Sequence, residues 1–533
     1  MNTAANQAAL LRDALSQALG PSTLINTPDT ALYTTDVYSP GVAPGLVVRP
    51  TTPAQVADAV RISTQAGWAI TQRGGGMSYT GGYLPQRAET VMLDLSALNR
   101  IVSIDEDDLI ITVEAGVTWQ QIWEALTPRG LRLPFFGTFS GSRATVGGGL
   151  SNGALFMGTA RYGSAADIVV GVDVVDGRGR CIRTGQAAFH NGRPGFRQYG
   201  PDITGLFVHD AGALGVKTQA SLKMMPMPEA AEYGSLAFAT QQEAIEALSA
   251  IGRSGFCEEA YCFDPDTTQR SLDSATLMKD INRLSNVIRS QSNLIKGLQE
   301  GAKMAIAGRR FVEGNVHTLH FVCAGRSAAG VHDDCIQATR LATAHGGVII
   351  SNTIPKAARA NPFEPLNGIL GADGERWAAL NAKVSHSDSA ALIAATEAAI
   401  DPYRARMAQH SVTMSFLYIA IAQSIFSYEP VLRWFDEWLP IHKQVPEPAY
   451  LAKLKEPAAN PEGRALVDEI RSTVVAVFAE QGAASNQIGK TYPMLSSLNP
   501  DSRSVLSALK RELDPEGLMN PGVLGDFNRL PSG

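Results

Sequence analysis

Residues Arg73 to Gly82 read Arg-Gly-Gly-Gly-Met-Ser-Tyr-Thr-Gly-Gly, directly after the apolar run Gly67-Trp68-Ala69-Ile70, and this stretch constrains the fold more than any other. Five glycines in ten residues remove the Cβ atoms that block tight curvature and keep a ligand away from the backbone. Free N–H groups in such a loop can converge into a concave nest for a diphosphate, with Arg73 adding positive charge beside it. A plain glycine-rich turn is the alternative, because glycine clusters alone are weak signals. A second cluster, Ala144-Thr145-Val146-Gly147-Gly148-Gly149, is followed by Asn152-Gly153 and Arg161-Tyr162-Gly163. Two such loops favour a large, extended ligand.

The loop sits in an α/β pattern. Leu46 to Arg49 reads as a short strand closed by Pro50, and Thr52-Pro53 opens a helix with Val56, Ala59, Val60 and Ile62 as its apolar positions, ending at Gly67. After the loop come Tyr83-Leu84-Pro85 and a strand from Thr90 to Leu95, whereas a nicotinamide dinucleotide fold wants its glycines at the start of a helix. That disfavours a nicotinamide dehydrogenase. Gln7 to Leu19 reads as a helix, Leu109 to Val113 as a strand, and Thr118 as the cap of a helix reaching Leu126. Ile168 to Val175 is a buried-type strand, and Asp176-Gly177-Arg178-Gly179 is a hairpin signal.

At 533 residues the chain exceeds what one core organises, so two or more domains are expected. A net charge of −6 with no basic run argues against a nucleic-acid partner. No stretch approaches the ~20 apolar residues of a membrane span, and Ala4 to Gly20 has helical rather than signal-peptide character. Five cysteines without framework spacing suit a reducing compartment, so a cytoplasmic location is expected. Cys257 and Cys262 have no second pair to complete a metal site, and no metal is expected.

Several blocks follow one another along the chain: Arg-Gly-Gly-Gly-Met-Ser at Arg73 to Ser78, Thr-Val-Gly-Gly at Thr145 to Gly148, and Arg-Tyr-Gly at Arg161 to Gly163. Pro-Asp-Ile-Thr-Gly-Leu-Phe at Pro201 to Phe207 and Leu-Gly-Val-x-Thr at Leu214 to Thr218 come next. In this order they resemble the FAD-binding domain of the vanillyl-alcohol oxidase and p-cresol methylhydroxylase flavoprotein superfamily. Leu513 to Gly522 is similar to the sequence with which many members end. The resemblance implies an α+β, two-domain FAD-binding fold of the PCMH type. Residues 1–228 would form the FAD domain, and 229–481 an inserted substrate domain of antiparallel sheet and helices. The segment 482–533 would return to the FAD domain and line the active site. Met224-Met225-Pro226-Met227-Pro228 punctuates the first boundary.

Carried over by motif, Arg73, Gly74, Gly75, Gly76, Met77 and Ser78 would hold the FAD diphosphate. Thr145, Gly147, Gly148 and Gly153 would lie along the flavin and ribityl chain, with Gly137, Thr138 and Ser142 as further cofactor contacts, and Val216 would meet the adenine through its backbone. Members that attach FAD through a histidine in the first loop have it where Met77 stands, and a thioether cannot form that bond. A second covalent route uses a His or Tyr of the substrate domain. Met414 to Tyr428 has no His, and Tyr418 and Tyr428 read as packing. FAD is therefore expected to be non-covalent.

Ile488-Gly489-Lys490-Thr491-Tyr492 lies where phenol-oxidising relatives carry Tyr-Arg-Thr-His. Aligning the shared Thr puts Lys490 in place of the Arg that holds a substrate phenolate, with Tyr492 beside it as a hydrogen-bond or proton source. A surface lysine is the alternative. Val316 to Val322 reads as a central strand whose His317 and His320 point to opposite faces, which is poor geometry for a shared metal. The 2-hydroxy-acid dehydrogenase branch carries Gly-Glu-His-Gly where this chain has Ser485-Asn486-Gln487-Ile488-Gly489, against that activity. If the substrate were nonetheless a hydroxy acid, His317, His320 and His386 would be candidate bases. Ser271 to Ala307 reads as a long helical segment, Ile354 to Phe363 as a proline-punctuated loop, and Trp434, Phe435 and Trp438 as a helical aromatic stripe.

The resulting expectation is an FAD-dependent oxidoreductase passing hydride from an aromatic alcohol or para-substituted phenol to flavin N5, with Lys490, Tyr492 and His317 as catalytic candidates. A 2-hydroxy-acid dehydrogenase and a non-catalytic flavin- or nucleotide-binding protein are the alternatives. The expected partners are a small-molecule substrate and an electron acceptor such as O2, a quinone or a cytochrome, with a homodimer left open.

Overall fold

The computed structural model describes residues 2–26, 30–277 and 316–527. Three parallel strands, Leu46–Val48, Thr90–Asp94 and Ala69–Arg73, with a short edge strand Leu24–Ile25, make the first sheet. The parallel arrangement needs a crossover, which is the helix Pro53–Gln65; Thr52 caps it by accepting from the Gln55 N–H, with Pro53 in the first turn. Its Val56, Ala59 and Val60 pack under the sheet against Leu15, Leu93 and Met519.

A second, antiparallel sheet runs in the order Ile101–Asp105, Ile110–Glu114, Val216–Lys223, Val169–Val175, Cys181–Arg183. The turn after Val175 is the expected hairpin. Thr118 caps Trp119–Leu126 with the reciprocal Gln121 bond of a capping box. The second glycine cluster, residues 144 to 149, enters a seven-residue helix, Val146–Asn152.

The third sheet, wholly antiparallel, has the order Val348–Ile349, Ala230–Phe238, His317–Gly325, Glu259–Phe263, Thr413–Ile421, Ile425–Trp434, Arg376–Ala379. Ala382–Ser385 also pairs with Ile425–Trp434. One face buries Leu319, Phe321, Cys262, Tyr418, Phe426 and Trp434 against Ala244, Ile245 and Leu248 of the helix Gln241–Ser254 and Val474 and Phe478 of Pro461–Glu480. The other face turns toward the FAD-domain loops.

Two sequence expectations need correction. Trp434 ends a strand rather than lying on a helical stripe, because the period-2 alternation Tyr428, Leu432, Trp434 places these side chains on the helix-packed face. Thr353–Ala360 is a helix despite Pro355, which stands in its first turn where no intrahelical donor is lost. Most of the helical segment expected over Ser271 to Ala307 lies outside the described residues, which show only its beginning in Pro265–Leu277. No described helix is long and apolar enough to cross a membrane.

The domains are joined by named contacts. Arg161, between the second glycine cluster and the strand Val169–Val175, donates to the carbonyls of Gly255, Phe256 and Ala324. Arg132 makes a buried two-pronged pair with Glu258 at 2.6 and 2.8 Å, and Arg359 bonds both Glu258 and Glu259.

Candidate functional site

At the end of the strand Ala69–Arg73 the chain turns under close contact with the loop before the second glycine cluster. A Cβ on Gly74 would lie 2.2 Å from the Thr145 hydroxyl, one on Gly75 would lie 2.0 Å from the Arg143 carbonyl oxygen, and Gly76 has φ +71°. Only glycine satisfies these three positions. The outcome is a run of N–H groups, from Gly75 to Ser78, that have no acceptor among the described residues. Buried polar groups are normally paired, so such a run marks a ligand cradle.

Two guanidinium groups flank the run. Arg73 is buried, its Nε and Nη2 lack any partner, and it sits 5.2 and 5.6 Å from the ring centres of Tyr33 and Tyr83. Arg143 donates from Nε to the Gly75 carbonyl at 2.8 Å. Burial, and then the Arg73 charge, lower the Arg143 pKa. Neither arginine forms an ion pair among the described residues. Two unpaired cations beside free backbone donors fit a diphosphate, and the residues present therefore fit FAD. Arg143 escaped the sequence reading; its signal was a basic residue immediately ahead of Ala144-Thr145.

The second cluster has a separate task. Its Val146 and Gly147 N–H groups are already bonded to Val117 and Ala115 carbonyls, and Thr145 caps Gly148. Gly147 and Gly149 are glycine because a Cβ would meet Ala115 at 2.8 Å and Trp119 at 2.5 Å. They let the helix approach, leaving Gly148 the open side. Gly137 packs on Trp119, Thr138 shares a hydrogen bond with Ser140, and the Ser142 hydroxyl reaches the Glu364 carbonyl. Gly153, at φ +61°, lies against the His209 ring. Val216 is buried opposite Val175.

The C-terminal motif closes the cradle from beneath. Ile70 donates to the Leu518 carbonyl, Asn520 donates to the Ile70 carbonyl, and the Asn520 amide reaches Gly82 and Ala211 at 2.7 and 2.8 Å. Lys490 belongs to the same closure. Its N–H bonds the Thr80 carbonyl, and its ammonium donates to the carbonyls of Gly81 and Leu84. Burial lowers its pKa to about 8, opposed by Asp36.

Tyr492 lies elsewhere, buried beside the face of the third sheet that carries Glu429. Its hydroxyl accepts from the Asn381 N–H at 2.7 Å. Tyr79, from the first loop, accepts from the Gln487 amide at 2.9 Å and packs edge-on against Trp377 at 5.5 Å. Arg471 donates to the carbonyls of Tyr79 and Ala379. Glu429 is half-buried on the sheet. Burial pushes its carboxyl up to about 7. Burial and then the Glu429 and Tyr492 charges push Tyr79 well above an ordinary phenol, while burial first pushes Tyr492 up to about 12. Glu429 was invisible in sequence, because one acid in an apolar strand carries no motif.

The sheet register separates the other candidates. Glu429 shares its face with Ser427, Ile419, Tyr261 and His320, whereas His317 shares the opposite face with Leu319 and Phe321. Tyr492 and Glu429 are thus brought together, and His317 stands behind the sheet. His320 is fully committed, with Nδ1 to Ser235 and Nε2 to Thr318, and burial drops it to about 3. Tyr418 and Tyr428 stack on each other at 5.7 Å, and Tyr428 meets Phe478 edge-on, all within the helix-packed core.

Comparison with known proteins bears on the cofactor and the fold. Residues 44–185 match a family model described as an FAD binding domain. D-lactate dehydrogenase (cytochrome) 1 of Saccharomyces cerevisiae is 30% identical over 225 residues, 42% of this chain and 37% of that protein. Glycolate oxidase subunit GlcD of Bacillus subtilis is 32% identical over 186 residues, 35% of this chain and 38% of that protein. The chain therefore spans well under half the length of these relatives. A solved p-cresol methylhydroxylase with substrate bound superposes with TM-score 0.74 at 18% identity, covering 98% of both chains. The 4-ethylphenol oxidase of Gulosibacter chungangensis gives TM-score 0.66 at 17% identity, covering 98% of this chain and 97% of that one.

Proposed function

We propose that this chain, a flavoprotein whose FAD-binding domain is set in the two-domain fold it shares with p-cresol methylhydroxylase, oxidises an aromatic alcohol or a para-substituted phenol. The observation carrying the reading is Glu429, a half-buried carboxyl whose charge acts on both Tyr79 and Tyr492, with Trp377 packed edge-on against Tyr79. Bound FAD supplies the hydride acceptor.

This chain's own residues do the rest. Arg73, Arg143 and the N–H groups of Gly75 to Ser78 would hold the diphosphate. Trp377 and the aromatic rings around it offer a flat apolar wall for a substrate ring. Glu429, with its pKa raised by burial, is matched to take a phenol or alcohol proton at its carboxylate oxygen near neutral pH. Tyr79 and Tyr492, kept protonated by burial, can donate to the oxygen that is left charged. Lys490 acts by holding the first loop rather than the substrate, since its ammonium is occupied by loop carbonyls.

A 2-hydroxy-acid dehydrogenase remains the second reading, favoured by the names of the curated relatives. His317, His320 and His386, the bases it would need, are turned to the sheet face opposite Glu429, fully bonded, or engaged with Ser249 and the Gln423 carbonyl, respectively. The electron acceptor, a homodimer and a cytoplasmic location belong to the same proposal, as does non-covalent FAD. Anaerobic addition of 4-alkylphenols, aromatic alcohols and 2-hydroxy acids to the yellow protein tests it. Bleaching of the flavin absorbance is expected with the first two classes. Bleaching by hydroxy acids alone selects the second reading, and none at all selects a protein that holds flavin without turnover.

A further inference from the structure

A second cluster of unsatisfied groups adjoins Glu429 through Ser427 on the same strand face and Asn381 beside Tyr492, where the glycine loops, the third sheet and the C-terminal segment meet. Lys383, on the strand Ala382–Ser385, is opposite Ser427 in register and is held by mutual backbone bonds to Ala484. Its ammonium has no hydrogen-bond or ion-pair partner among the described residues. Around it are five buried polar atoms equally without partners: Asn152 Oδ1, His209 Nε2, Asn381 Nδ2, Ser427 Oγ and Asn486 Oδ1. They form one neighbourhood. The Asn486 amide donates to the Gly153 carbonyl, Gly153 lies against the His209 ring, and Asn381 accepts from the Asn486 N–H. Burial, and then the Lys383 charge, lower His209 to about 4, while burial lowers Lys383 to about 8 against the opposing charge of Asp167.

Buried polar groups left unpaired at this density are destabilising unless something meets them. What would satisfy them presents oxygens to a cation and to an amide N–H, and an N–H to an amide oxygen. The pyrimidine edge of a flavin offers that alternation, two carbonyls flanking an N–H. We propose that Lys383 is the positioning cation for the flavin's pyrimidine edge, with Asn152, Asn381 and Asn486 reading its hydrogen-bond pattern, so that negative charge arriving on the ring is stabilised there. The inference rests on FAD as cofactor and not on the substrate assigned above. It also distinguishes the flavin edge from a substrate carboxylate as the group that Lys383 meets.

The test uses the FAD-loaded protein with sulfite, a substrate-independent probe whose adduct leaves the pyrimidine edge anionic, read as a dissociation constant from flavin absorbance. Lys383→Met is expected to weaken sulfite binding about tenfold or more and to shift the flavin midpoint potential negative, with Lys383→Arg within about threefold of the parent. An unchanged sulfite constant in Lys383→Met overturns the proposal, and is also the result a carboxylate-binding role would give. Should Lys383→Met fail to retain FAD, Lys383→Gln takes its place with the same thresholds. Loss of FAD from both neutral variants with retention in Lys383→Arg supports the proposal, and loss from all three overturns it.

Discussion

The Cβ that Gly75 lacks would stand 2.0 Å from the carbonyl oxygen of Arg143, so the first loop and the segment that leads to the second are in backbone contact. Arg143 Nε returns the contact by donating to the Gly75 carbonyl. If the first loop holds the diphosphate as proposed, cofactor binding and fold stability share these two residues.

Gly75→Ala should force that carbonyl away and disturb both sides of the cradle. Overpacking of this kind costs about 1–3 kcal/mol. The expected result is a Tm several degrees lower, on the order of 2–4 °C per kcal/mol for large domains, together with loss of yellow colour through purification. Differential scanning fluorimetry and the flavin-to-protein absorbance ratio report the two effects.

Arg73→Met and Arg143→Met should each weaken FAD by about tenfold or more, the equivalent of one charge-assisted contact of roughly 1.5–3 kcal/mol. FAD titration of deflavinated protein by fluorescence quenching measures this. An unaltered constant in both variants would place the diphosphate elsewhere.

Glu429→Gln should lower kcat/KM by about 10²-fold on the substrate that bleaches the flavin. In the parent, kcat/KM should rise through about pH 7 as Glu429 loses its proton, and the variant should lose that limb. Stability gives an independent sign. Unfolded, the carboxyl titrates at 4.5, and folded at about 7, so the stability from the neutral acid is full below 4.5 and is lost as pH rises through about 7. The Tm of Glu429→Gln relative to the parent should accordingly climb from about pH 5 to about pH 8.

Lys490→Met should leave three acceptor oxygens short of a donor and loosen the first loop. The expected signature is weaker FAD retention and a lower Tm, with the KM of the FAD-loaded fraction nearly unchanged. A large rise in KM alone would return Lys490 to the substrate site.

Acid precipitation should leave the flavin in the supernatant. Met77 cannot form the histidyl link, and Tyr418 and Tyr428 are stacked in the core behind the sheet. Colour in the pellet would sink the non-covalent assignment.

What was legible beforehand follows a physical line. The first glycine loop could be read because positive φ and backbone contact demand glycine in a contiguous run, and the cap at Thr118 because its partner is three residues away. Glu429, Lys383 and Asn381 could not, because their neighbours are assigned by strand register across dozens of residues. The same limit left His317 and His320 equivalent until pairing with Tyr261 settled which face each occupies. Lys490 shows a third case, in which alignment located the residue but side-chain direction depended on which carbonyls lay within reach.

The bonds from Leu518 and Asn520 to Ile70, Gly82 and Ala211 carry a consequence for biosynthesis. A nascent chain on the ribosome can form the strand that precedes the cradle early, yet Ile70 in that strand waits for Leu518 and Asn520, almost at the other end of the sequence. Coenzyme capture should accordingly be a late event, completed only after the whole cap has been translated.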